Sequence, residues 1–399
     1  MTTCDVLVVG GGPAGSTCAS ELVRRGRHVI VLDKASFPRD KVCAGWITPA
    51  VVRALELDLN DYQRGPAART LQPFTGFRAG GLTGEPRLVD FGRVISYGIR
   101  RCEFDDYLVR RSGAEIAAGA PLASLRRDGA TWIANDRIRA SVVVGAGGHF
   151  CPVARHLNDR DRQDEVVAAQ EIEVRLDARF AEQYPVRPEA PDLFFWPDLL
   201  GYGWCVRKGA FLNIGAGRLR PTSFPAIVEP FKRMLRSRGL VPEDAPAWKG
   251  HAYLLNRTAR RRVTGDGMLL VGDAAGLALA PSGEGILSAV ESGLIAAQAI
   301  AGAWREGTMP DFPRYAGQLA QRFGPRGKPL TFPAWAGRLA GRVILGSAAL
   351  TRRVLIEDGF LHLRRPEFGA EPWLGSDRGQ TGVRHGSDPG LTPTNSKPP

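Results

Sequence analysis

The stretch Asp5–Lys34, DVLVVGGGPAGSTCASELVRRGRHVIVLDK, sets three glycines, a helix start and an acid at spacings that suit a dinucleotide. In Gly10-x-Gly12-x-x-Gly15, Gly10 permits a tight strand-to-helix turn and Gly12 lets backbone approach a pyrophosphate. Gly15 lets the helix pack close on the sheet. The N–H groups and positive dipole end of the helix that follows would face the phosphates. Asp33 is placed to accept hydrogen bonds from an adenosine ribose. A Gly-rich hairpin is the plainer reading of three glycines, but it would not put an acid at the end of a second apolar run.

These residues need a strand, a helix and a second strand to hold them. Val6–Val9 is apolar and short enough for a buried parallel strand. Ser16 to Arg25 reads as a helix that Gly26 stops, and Val29–Leu32 reads as the second strand, so the whole fits a βαβ unit. The unit starts at the beginning of this sequence, so no upstream domain is expected. In the loop that follows, Lys34, Arg39 and Lys41 could still reach phosphates or ribose, and Pro49 suits the first turn of a helix.

A second stretch, residues 265–300, has similar logic. Met268–Val271 reads as a buried strand with Gly272-Asp273 at its carboxyl end, where ligands bind in open α/β sheets. Pro281 and Gly283 shape a loop feeding a long helix whose Ile286, Val290 and Leu294 share a face. Its first N–H groups would again point at a ligand. A plain strand-loop-helix crossover explains the pattern, but not the acid at the mouth of the sheet.

Between these stretches, residues 60–95 read as short strands of an inserted sheet and 101–113 as a helix stopped by Gly113. Thr131–Ile138 looks like a hairpin, and Ser141–Gly148 like a buried strand returning to the first sheet. Residues 165–217 read as an antiparallel sheet, 222–239 as a helix and 240–250 as a loop. Beyond them, 332–363 is helical, with Arg338, Arg342, Arg352 and Arg353 among Trp335, Leu339, Val343 and Leu350. Packing on its own domain is the blander reading of that helix, and a membrane-surface helix the sharper one.

Composition bounds the rest. At 399 residues, 44% hydrophobic and 24% charged, the chain is expected to be globular with a large core. No secretory leader and no apolar run of ~18 residues is evident, so a cytoplasmic protein is expected. The six cysteines have no metal-ligand or disulfide spacing, so no metal is expected, and Cys4 and Cys18 read as small buried apolar groups. The net charge of +12 suits solubility, or affinity for anions or a membrane surface. No basic stretch is interleaved with stacking aromatics, so no nucleic-acid partner is expected.

Three sets of residues together resemble the FAD-dependent oxidoreductases built like aromatic hydroxylases. They are the N-terminal glycine unit, Arg101-x-x-Phe104-Asp105, and the late GDAAG…P-x-GEGI stretch. Within that group, PRDKVCAGWITP resembles the geranylgeranyl reductase branch. The fold implied is α/β: a Rossmann-type FAD-binding domain with an inserted antiparallel-sheet substrate domain and a C-terminal helical region. The FAD-binding domain would take residues 1–60, 95–160 and 260–330, and the substrate domain 61–94 and 161–259. Residues 331–376 would be the helical region and 377–399 a disordered tail.

The resemblance implies that Gly10, Gly12, Pro13, Ala14 and Gly15 hold the pyrophosphate of FAD, and that Asp33, Lys34 and Arg39 serve its adenosine side. Arg101 would reach the phosphate or ribityl region, Gly272 and Asp273 the ribityl chain. Pro281, Gly283, Gly285 and Ile286 would lie along the isoalloxazine, with Cys43 and Ala44 beside it. The branch's Tyr-x-Trp-x-Phe-Pro survives here only as Tyr202-Gly203-Trp204. Cys43, Tyr202 and Trp204 are the catalytic candidates, each with a structural role as the alternative. The expected reaction is hydride transfer from reduced FAD to a carbon–carbon double bond of an isoprenoid or similar apolar substrate. The alternatives are a monooxygenase acting on an apolar or aromatic substrate through a flavin C4a-hydroperoxide, and a non-catalytic prenyl-binding protein. An external donor, NAD(P)H or a ferredoxin-type protein, would supply electrons.

Overall fold

Strand Thr2–Val9 lies at the centre of an eight-stranded sheet, with Val6, Leu7 and Val8 fully buried. Burial on both faces is what an unbroken apolar run in a parallel sheet requires. Thr2–Val9 pairs in parallel with Val29–Asp33 on one side, Val8 opposite Val31, and with Ile138–Gly145 on the other, Val8 opposite Val144. Glu115–Ala118 and Met268–Leu270 extend the parallel set outward. Thr264–Gly265 and the pair Leu125–Asp128 and Thr131–Ala134 add antiparallel edges. The hairpin expected at 131–138 is therefore a three-strand meander, whose last strand carries straight into the expected buried one.

The computed structural model describes residues 1–366 and 368, apart from 65–67, 159–163, 178–180, 182–183, 221–222, 243, 281, 308–311, 313 and 328–332. Pro281 and the tail at 377–399 lie outside the described residues. Met1–Arg365 forms one compact unit.

Helix Pro13–Arg24 follows the glycine turn, starting at Pro13 rather than Ser16 because proline suits a first helical turn. It packs on helix Ile286–Glu306, where a Cβ at Gly293 would come within 2.5 Å of the Ala14 carbonyl oxygen. The long helix matches a membrane span in length and mean hydropathy, yet 78% of that apolar window is buried inside the fold. Glu291 on it is taken up by Arg322 and Arg365.

The second sheet has seven strands, in the order Lys249–Leu254, Val166–Arg175, Phe211–Leu219, Gly201–Lys208, Asp192–Phe195, Gly76–Gly81, Arg87–Asp90. It is antiparallel except where Asp192–Phe195 pairs in parallel with Gly76–Gly81. The antiparallel sheet expected over 165–217 is observed, and the parallel pairing is to Gly76–Gly81, a strand joined to it through the distant first sheet rather than by a hairpin. Lys249–Leu254 is a strand where a loop was expected to reach residue 250. The strands expected in 60–95 divide: Leu71–Phe74 pairs with Ser96–Ile99 in a separate three-stranded sheet with Trp46–Ile47.

Candidate functional site

A cavity of about 630 Å³ opens between the carboxyl ends of the first sheet and the face of the second. The glycine turn forms one end of it, and its three glycines differ in role. A Cβ on Gly10, which has φ +112°, would lie 2.4 Å from the Ala146 carbonyl oxygen, and one on Gly15 would lie 1.9 Å from the Gly10 carbonyl oxygen. A Cβ on Gly12 meets only the tip of Arg39 at 3.6 Å and an Asp105 oxygen at 4.0 Å. Gly10 and Gly15 let protein touch protein, and Gly12 keeps space open. Gly10, Gly12, Pro13 and Ala14 line the cavity; Gly15 does not, because it faces the turn and sheet behind it. No side chain caps helix Pro13–Arg24, so its first N–H groups are left to the cavity.

A chain of charges follows. Asp33 accepts from the Gly11 N–H at 2.8 Å and the Ala35 N–H at 3.0 Å, and meets Arg39 at 3.4 Å. Arg39 also reaches Asp105 at 3.2 Å, and Asp105 takes both arms of buried Arg101 at 2.8 and 2.9 Å. Burial alone would lower the Arg101 pKa, but Asp105 and the Cys43 side chain outweigh it and hold it above the ordinary value. Lys34, Arg39 and Arg101 all border the cavity.

Gly272 and Asp273 border it too, in a single 3-10 turn after Met268–Leu270. Burial would raise the Asp273 pKa, but His251, Lys41 and Arg101 together pull it below the ordinary carboxylate value. Lys41 Nζ lies 2.6 Å from His251 Nε2, and the Asp273 carboxylate lies 3.8 Å from the same nitrogen. Burial lowers the pKa of both groups.

Gly283, Gly285 and Ile286 line the cavity at the head of the long helix. The expected free N–H groups there are corrected: Glu284 turns back and accepts from the Leu287 N–H at 2.8 Å, and also bonds Ile286. A carboxylate at that position satisfies the helix end from within the loop.

The second sheet supplies the other wall. Tyr202 and Trp204 face the cavity with their rings 5.7 Å apart, and Trp46 joins them. Phe77, Phe195 and Phe360 pack behind this wall. The Tyr202 hydroxyl donates to the Ser282 carbonyl at 2.5 Å, tying the loop before the long helix to the sheet.

Cys43 and Ala44 also line the cavity, and a buried polar latch fixes their loop. Asn213 donates to the Cys43 carbonyl at 3.2 Å and to Glu171 at 3.2 Å, while accepting from Trp204 Nε1 at 2.7 Å. Lys208, fully buried, donates to the carbonyls of Ala44 at 3.2 Å and Ile99 at 3.1 Å and to Glu173 at 2.6 Å.

Sequence reasoning missed Asn213, Glu171, Glu173, Lys208, His251 and Tyr253. Polar residues alternating within apolar strands, as in Glu171-x-Glu173 and His251-x-Tyr253, were the available signal. In sequence, 165–217 reads only as an antiparallel sheet, and residues 251 and 253 fall in no expected element.

The uncapped helix end, the space kept by Gly12 and the acid at Asp33 fit a dinucleotide. Residues 5–90 match the family described as FAD dependent oxidoreductase. The chain is 31% identical over 315 residues to a geranylgeranyl diphosphate reductase of Rhodobacter capsulatus, covering 74% of each chain. It belongs to the geranylgeranyl reductase family of FAD-dependent oxidoreductases. This flavoprotein is also 29% identical over 321 residues to a menaquinone reductase of Mycobacterium tuberculosis, covering 74% of this chain and 76% of that one. A geranylgeranyl bacteriochlorophyll reductase-like structure from Thermoplasma acidophilum shares its fold, with a TM-score of 0.70 and 21% identity over 90% of this chain and 91% of that one. Pseudomonas aeruginosa PqsL shares the fold more distantly, with a TM-score of 0.61 at 20% identity over 87% of this chain and 96% of that one.

Proposed function

We propose that this flavoprotein reduces a carbon–carbon double bond in an isoprenoid or similarly apolar chain. The observation that carries the reading is the aromatic wall. Trp46, Tyr202 and Trp204 face the cavity opposite residues suited to FAD, and further aromatic side chains back them. Apolar rings shape space for an apolar chain and keep water from it. The family relative named for geranylgeranyl diphosphate supports the same substrate class. The likeness to PqsL is one of fold alone and does not favour oxygenation.

Gly10, Gly12, Pro13 and Ala14 would hold the FAD pyrophosphate, Asp33 its ribose, and Asp273 its ribityl chain. When bound, FAD supplies the electrons for the reduction. Asp273, kept ionised by Lys41 and His251, offers an acceptor to hydroxyl groups at the cavity mouth. The latch of Asn213 and Lys208 fixes where Cys43 stands, and Tyr202 fixes the Ser282–Gly285 loop by donating to a backbone carbonyl. The electrons come from outside the chain, from NAD(P)H or a ferredoxin-type protein. A single Gly-x-Gly-x-x-Gly unit supports a donor that visits rather than one with its own domain.

The test is to reduce the protein without oxygen, add geranylgeranyl diphosphate, and follow flavin absorbance and product mass. Reoxidation with a product that has gained hydrogen is expected. A product that gains oxygen, formed only when O₂ is admitted, would establish the monooxygenase instead.

A further inference from the structure

Helix Ala334–Gly346 presents two opposed stripes. Gly337 and Gly341 face inward: a Cβ on Gly337 would lie 3.3 Å from the Asp198 carbonyl oxygen, and one on Gly341 would lie 2.0 Å from that of Pro197. Ile344 and Leu345 pack on the same side, against the aromatic cluster of Trp46, Tyr202, Trp204 and Phe360. The glycines bring the helix down on the Pro197–Leu199 turn and so fix which side faces out. That side carries Trp335, Leu339 and Val343, one turn apart, exposed at 64%, 53% and 53%.

Neighbouring segments continue the stripe. Arg87 donates to the Gly346 carbonyl at 3.1 Å, which brings the strand of exposed Leu88 to the end of the helix. Arg352 donates to the Asp90 carbonyl at 3.0 Å and covers the Phe91 ring, which ties the segment of exposed Val354 to the strand end that precedes exposed Val94. Exposed Leu200 follows the turn under the glycines. Seven of the ten large hydrophobic residues exposed among the described ones therefore lie on this helix or on segments tied to it. Clustering of this kind is unusual on a surface that meets only water.

Unpaired positive charge predominates around the stripe. Arg93, Arg338, Arg342 and Arg353 are exposed, and among the described residues none has a carboxylate partner. The acids close by are occupied: Asp90 accepts from the Gly92 N–H, Asp198 pairs with Arg218, and Glu357 pairs with Arg352. A tryptophan at one end, an apolar ridge and free arginines beside it match the interfacial zone of a bilayer with anionic headgroups.

We propose that this face docks the protein on a membrane surface containing anionic phospholipid. The inference stands on surface residues and is independent of the reaction. The test is to sediment the full-length, FAD-bound protein with vesicles of phosphatidylcholine alone and of phosphatidylcholine mixed with phosphatidylglycerol. Pelleting with the mixed vesicles is expected, and high salt should weaken it. Arg338→Glu with Arg342→Glu, and separately Leu339→Glu, should each lower partitioning on the order of tenfold. All these side chains are exposed, so the variants should keep their flavin colour, and Trp335→Ala gives a milder check. Failure to pellet with mixed vesicles, or equal partitioning of the folded variants, overturns the proposal. A dimer that Leu339→Glu dissociates in ultracentrifugation would assign the face to a second copy and overturn it as well.

Discussion

The two walls of the cavity are built by different rules. The first is local: a strand, three glycines and a helix N-terminus lie within Thr2–Arg24, and the backbone makes the surface. The second is composite. Trp46, Tyr202 and Trp204 come from two sheets, and the Cys43 loop is held by Lys208 and Asn213 from distant strands. A wall of backbone tolerates few changes of shape but most changes of neighbour. A wall of side chains depends on partners far away in the chain.

The sharpest way to break the first wall is to separate its glycines. Gly15→Val drives a side chain into the Gly10 carbonyl, where the nearest approach is 1.9 Å, and should destabilise the fold by more than about 3 kcal/mol. Gly12→Val should leave thermal unfolding of the apoprotein within about 1 kcal/mol of wild type, because its Cβ enters open space. It should nonetheless purify colourless. Calorimetry and flavin absorbance together check the pair. A yellow Gly12→Val protein would show that the turn does not hold the pyrophosphate.

The second wall should break at its latch. Lys208→Met leaves Glu173 without its buried partner and strips a donor from the carbonyls of Ala44 and Ile99. Loss of one member of such a pair costs about 3–5 kcal/mol, readable in urea unfolding. Arg100 also holds Glu173, at 2.9 Å, which places the expectation at the lower end of that range. Because the Cys43 loop loses its anchor, the visible spectrum of bound flavin should shift as well. A destabilised protein with an unshifted spectrum would reduce the latch to a structural support.

The same contrast explains what could be read in advance. The glycine turn, Asp33 and Asp273 were legible because each follows an apolar run within a few residues, so local periodicity places it. The pairing of Thr2–Val9 with Val29–Asp33, and the return of the strand over 141–145 to the same sheet, were legible from apolar runs with no alternation. Glu284 misled the reading of the long helix, because a side chain that caps its own helix looks the same in sequence as one that faces a ligand. Lys208, Asn213 and His251 were opaque for a different reason. Polar residues in strands ordinarily face water, and only the packing of the 41–45 loop against the second sheet turns these inward. The parallel pairing of Asp192–Phe195 with Gly76–Gly81 was equally hidden, since no local pattern links strands so far apart.

A histidine at or beside each wall opposes folding when charged, and acid should reveal which yields first. Burial lowers the His149 pKa to about 4, helped by Arg261, and that of His362 to about 4, helped by Arg365. His149 borders the cavity near the glycine turn, and His362 lies 3.5 Å from the Ser282 hydroxyl beside the second wall. In the unfolded chain both titrate near 6.5. The unfolded state therefore binds more protons below that value, so stability is complete above pH 6.5 and declines as the pH falls towards 4. With allowance for solvent screening, each histidine should account for about 1 kcal/mol of the loss. His149→Gln and His362→Gln should each flatten the apoprotein's melting temperature between pH 6.5 and 4. If only His149→Gln does so, acid opens the nucleotide wall while the aromatic wall holds.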